Sequence, residues 1–107
     1  MPRKARLNVP GAIFHIMGRS LDHLMLFTDD PDREQFLSLL GKYLEKTGSR
    51  CYAWALMKNH YHLVLRLGDV DLVELMKPLN MHYAYYHRVK TGRRGPLFMD
   101  RYKSIAT

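Results

Sequence analysis

The chain has 107 residues, 47% hydrophobic and 25% charged, an ordinary soluble composition and long enough for one domain with a modest core. Seventeen Lys and Arg against ten Asp and Glu leave a net charge of +7, which favours a polyanionic partner, nucleic acid foremost. The single cysteine, Cys51, excludes an internal disulfide and a cysteine-based zinc site, and no run approaches the roughly 20 apolar residues of a membrane span.

Residues 1–8 form a basic arm with Arg3, Lys4 and Arg6, lacking the apolar segment of a signal peptide, so a cytoplasmic location is expected. Gly11 to Arg19, GAIFHIMGR, is rich in β-branched and aromatic residues and predicts a first strand; Ser20 to Thr28 reads as a loop. From Asp30, read as an N-cap with Pro31 at the first helical position, to Gly48 the chain predicts a helix. Its Phe36, Leu37, Leu40, Tyr43 and Leu44 recur at three- and four-residue spacing. CYAWALM (Cys51 to Met57), a tight Lys58-Asn59 turn and HYHLVLRL (His60 to Leu67) predict a hairpin.

Asp71, three residues before Glu74, opens a second helix as a capping box, and Gly92 closes it. Pro78 within it predicts a kink or break near Lys77. GPLFMDRYKSIAT supplies a turn and a last strand. The order β-α-β-β-α-β predicts an α+β, ferredoxin-like antiparallel sheet in one domain over 1–107, with both helices on one face and the first and third strands central.

Alternation along the third strand puts His60, His62, Val64 and Arg66 on one face and Tyr61, Leu63, Leu65 and Leu67 on the other. The second set is the helix-covered core, so both imidazoles face the open side, where they can converge on a divalent ion that keeps positions for water and phosphate oxygens. A His-x-His pair taken alone is more often two polar residues on a solvated face. Its central position and the basic chain favour the metal reading.

The segment WALMKNHYHLVL resembles the histidine-hydrophobe-histidine segment of the HUH single-tyrosine transposases, in particular their REP-associated branch. PRKARLNVPGAIFHIMGR is similar to that branch's N-terminal strand, LVELMKPLNMHYAYYHRVKTGRRGPLF to its second helix and loop, and RYKSIA to its following strand. Where the family often carries Arg-Gly-Asn after the first strand, this chain has GRSLDH.

The resemblance implies binding of single-stranded or hairpin DNA and Mg2+ or Mn2+ held by His60 and His62. It also implies strand cleavage and rejoining by a tyrosine that attacks the scissile phosphate. In the family that tyrosine sits on a helix after the strand matching RYKSIAT, and a polar residue of the same helix completes the metal site, so the resemblance implies that both are missing from this 107-residue chain. Tyr85, Tyr86 and Tyr102 are the weak substitutes; on the second helix, packing or base stacking is the preferred reading for Tyr83, Tyr85 and Tyr86.

Phosphate contacts are expected from Arg19, the arm residues Arg3, Lys4 and Arg6, and Arg88, Lys90, Arg93 and Arg94, with Arg66 on the backbone near the metal. His15, His23, His82 and His87 receive no metal role, although His15 can approach the pair if its parity is favourable. Monomer and homodimer both stay open. The alternative is a non-enzymatic single-stranded nucleic-acid-binding module, which would put aromatic side chains on the central strands of the open face.

Overall fold

The computed structural model describes residues 11–99 and 101–106. Its strands are β1 (Ile13–Arg19), β2 (Arg50–Met57), β3 (His60–Arg66) and β4 (Lys103–Ala106); its helices are α1 (Asp30–Thr47) and α2 (Leu72–Thr91). The strands form one antiparallel sheet in the order β2-β3-β1-β4, so β1 and β3 are central and the expected ferredoxin-like α+β arrangement is present.

Burial alternates strictly on the central strands. Phe14 and Ile16 of β1 and Tyr61, Leu63 and Leu65 of β3 are fully buried, while their neighbours are not. Against them pack Phe36, Leu40 and Tyr43 of α1 and Leu72, Leu75, Met76, Leu79 and Tyr83 of α2, in one apolar cluster that includes Leu26 and Phe27. Each fully buried aliphatic or aromatic side chain contributes roughly 1.5–3 kcal/mol, so this layer holds the helices on one face and leaves the other open. Gly18 pairs with Tyr61, and a Cβ there would run into the Tyr61 ring, so glycine lets the phenol lie across β1.

Three local expectations are corrected. The cap of α1 is Asp29, not Asp30: its carboxylate accepts from the Asp32 N–H at 3.1 Å, and Pro31 falls one residue later in the first turn. Helix α2 starts at its Asp71 and Glu74 capping box and continues through Pro78 without the break that the proline predicts, because Leu75, Met76 and Leu79 on the same turns are buried and hold it against the core past the missing donor. The last strand is short; Phe98 only bridges to Ser20, and regular pairing begins at Lys103. Both helices end on left-handed glycines, Gly48 (φ 66°) and Gly92 (φ 72°), as the sequence predicts.

Candidate functional site

On the open face the β1–β3 register sets Arg19 opposite His60, Met17 opposite His62, His15 opposite Val64 and Ile13 opposite Arg66. Strand β2 adds Met57 beside His60 and Ala55 beside His62, and β4 adds Lys103 beside Met17 and Ile105 beside His15. The two imidazoles of β3 lie with ring centroids 5.1 Å apart. His15 has the favourable parity and its ring meets His62 edge-on at 5.2 Å.

Each histidine of the pair has its Nδ1 engaged. His60 Nδ1 lies 2.9 Å from Asn59 Oδ1, a carbonyl that only accepts, so Nδ1 carries the proton and Nε2 keeps its lone pair. The Asn59 amide nitrogen lies 3.4 Å from His23 Nδ1, which turns the carbonyl toward His60. His62 Nδ1 is 3.0 Å from His15 Nε2. Burial, reinforced by the neighbouring His60 and His15, pushes the His62 pKa down. This is how metal-binding histidines are usually oriented, with one nitrogen tied to a neighbour and the other left as a donor.

The backbone holds Asn59 in place. Lys58 C=O accepts from Leu26 N–H (2.6 Å) and Phe27 N–H (3.2 Å), and Asn59 C=O from Ser20 N–H (2.9 Å), which clamps the loop after β1 onto the hairpin turn. Within that loop a 3-10 turn, Leu21–His23, has Asp22 (φ 50°) and His23 (φ 58°) in the left-handed region, a conformation uncommon for residues with a Cβ. That backbone brings the His23 ring to Asn59.

The basic residues divide. Arg19 lies at the histidine end, opposite His60. Arg66 shares the face but sits four residues along β3 from His62, roughly 14 Å at strand rise, so it is not near the pair as expected. Its guanidinium reaches the Tyr52 hydroxyl at 3.5 Å. Lys90, expected among the phosphate contacts, is instead bound to Asp32 (2.6 Å) and Asp29 (3.0 Å) between the helices, and these carboxylates raise its pKa. Arg93 donates to Pro96 C=O in its own loop, Arg88 and Arg94 are exposed, and Arg3, Lys4 and Arg6 lie outside the described residues.

The tyrosine candidates stand away from the pair. Tyr85 and Tyr86 line a groove of about 390 Å3 with Gln35, Leu39 and Val89 between the helices, on the opposite side of the sheet. Tyr102 packs against the core, and burial raises its pKa despite the adjacent Arg101. Tyr61 and Tyr83 are buried and donate to Asn80 Oδ1 and Leu26 C=O; burial first of all pushes both phenols well above their ordinary value. Sequence reasoning missed Lys103 and Arg101, whose place depends on the register of β4, and the roles of Asn59 and His23, which depend on loop packing.

Among the described residues no three His, Cys, Asp or Glu side chains are grouped to hold a metal. No helix there is long and apolar enough to cross a membrane.

A family model described as "Transposase IS200 like" matches residues 8–107. A crystal structure of a candidate transposase from Deinococcus radiodurans R1 is similar at TM-score 0.70 and 15% identity, over 89% of this chain and 78% of that one. A REP-associated tyrosine transposase bound to a REP hairpin is similar at TM-score 0.65 and 12% identity, over 94% of this chain but only 58% of that one. No curated protein matches the chain.

Proposed function

The chain belongs to the IS200-like transposase family, and on that premise we propose that its open sheet face binds single-stranded, hairpin-forming DNA together with Mg2+ or Mn2+ for cleavage and rejoining of a strand. The observation that carries this reading is the histidine pair, whose engaged Nδ1 atoms leave the Nε2 atoms of His60 and His62 as donors on one side of the sheet. Two neutral nitrogens without a thiolate fit a divalent ion that keeps positions for water and phosphate oxygens. When bound, the ion polarises the scissile phosphate and stabilises the charge that develops on it.

His60 and His62 hold the ion, Asn59 and His15 fix the direction of the two rings, and Arg19 bears on the strand beside them. The REP-associated relative was solved on a REP hairpin, which supports a hairpin as the ligand class. In the proposed reaction a tyrosine oxygen bonds to phosphorus as the bond to the 3′ oxygen breaks. The 3′ oxygen takes up a proton and no nucleotide cofactor is consumed. Tyr85, Tyr86 and Tyr102 are turned away from the histidines of their own chain, so none of these three is proposed as its nucleophile.

Calorimetric titration with Mn2+ tests the metal site. His60→Ala/His62→Ala should abolish binding while the circular dichroism spectrum stays that of the parent. Equal Mn2+ affinity in the double variant would refute the site.

A further inference from the structure

On the β4 side of the histidine face, Met17, Arg19, Met99, Arg101 and Lys103 line a groove of about 160 Å3. Three parts of the chain build it. Strand β1 supplies Met17 and Arg19, the return segment supplies Met99, whose N–H donates to Arg19 C=O at 3.0 Å, and Arg101, and the start of β4 supplies Lys103. Met17 is the hinge of the arrangement, since it pairs with His62 on one side and with Lys103 on the other.

We propose that this groove is a second subsite of the open face, seating a phosphodiester of single-stranded DNA immediately beside the one at the histidine pair. The inference rests on the reading of that face as a DNA-processing site and adds the path of the strand, which runs from β3 across β1 toward β4. Two strand spacings of roughly 4.8 Å separate the Lys103 and His62 backbones, so Lys103 lies about 10 Å from the pair, while Arg19, the register partner of His60, is one spacing away. Arg19, Arg101 and Lys103 provide the positive charge that a phosphate needs, and the thioethers of Met17 and Met99 provide an adaptable apolar wall for a sugar or base edge. Along β3 in the other direction, Arg66 is turned to Tyr52, leaving this end as the cationic one next to the histidines.

The probe is a fluorescent oligothymidylate titrated by anisotropy in EDTA, from 50 to 200 mM salt, so that the metal plays no part. Arg19 and Lys103 are both exposed, so Arg19→Ala/Lys103→Ala should fold normally. Without these two phosphate-binding cations, the slope of log affinity against log salt should fall by about 1.4, so that the deficit of the variant is about sevenfold larger at 50 mM than at 200 mM. Arg19→Ala/Lys103→Arg, which keeps one of the two cations, should lower the slope by about half as much, and Lys103→Arg alone should keep the parent slope. An unchanged slope in Arg19→Ala/Lys103→Ala overturns the subsite, even where Mn2+ titration upholds the histidine site. A failed metal site with a lowered slope overturns the metal reading and retains the groove.

Discussion

Asn59 is expected to control metal binding without touching the metal. Its carbonyl is the acceptor that holds the His60 proton on Nδ1 at 2.9 Å, and its amide is itself turned by His23. In Asn59→Ala the His60 ring loses that acceptor, so it rotates more freely and divides between two tautomers, only one of which presents a lone pair at Nε2. Loss of such an orienting partner typically lowers metal affinity by about 10- to 100-fold, or about 1.4–2.7 kcal/mol. Asn59→Asp changes little in shape and supplies a stronger acceptor, so it should retain the parent affinity near pH 7.5. The assay is Mn2+ calorimetry on the parent and both variants, with 15N chemical shifts of His60 reporting the tautomer in the metal-free protein. Parent-like affinity in Asn59→Ala, alongside loss of binding in His60→Ala, would refute the orienting role.

Two further outcomes concern the scaffold. Asp32 is 2% exposed and accepts from Thr28 N–H and Oγ1, Tyr86 OH and Lys90 Nζ. Burial pushes its pKa up, but Lys90 and the hydrogen bonds from Thr28 and Tyr86 outweigh this and hold the carboxyl well below the usual carboxylate range. A depressed pKa gives stability that is present above the unfolded value of about 3.9 and lost as the pH falls below it. Asp32→Asn should therefore be less stable than the parent by about 2–3 kcal/mol at pH 7, with the gap closing below about pH 4 in urea unfolding; a gap constant with pH would contradict this. Gly18→Ala forces a methyl group against the buried Tyr61 ring and should cost about 1–3 kcal/mol, read as a lower urea midpoint with an unchanged slope.

Local chemistry along the chain is enough to specify the main elements and the faces of the central strands. Strict alternation in HYHLVLRL can bury only Tyr61, Leu63 and Leu65 together, which forces His60, His62 and Arg66 onto the other face whatever the neighbouring strands do. Gly48 and Gly92, at helix ends that need a left-handed residue, are equally legible. Pro78 misleads, because local chemistry argues for a break while buried leucines on the same turns hold the helix together. Lys90 misleads for a related reason: a lysine in a basic run looks like a surface charge until packing of the two helices places Asp29 and Asp32 against it. Which groups meet the histidines is set by tertiary packing, since His15 and Arg19 are brought to them by strand register and Asn59 is held against His60 by a clamped loop. Those contacts join residues as far as 47 positions apart, and no local periodicity encodes such a separation.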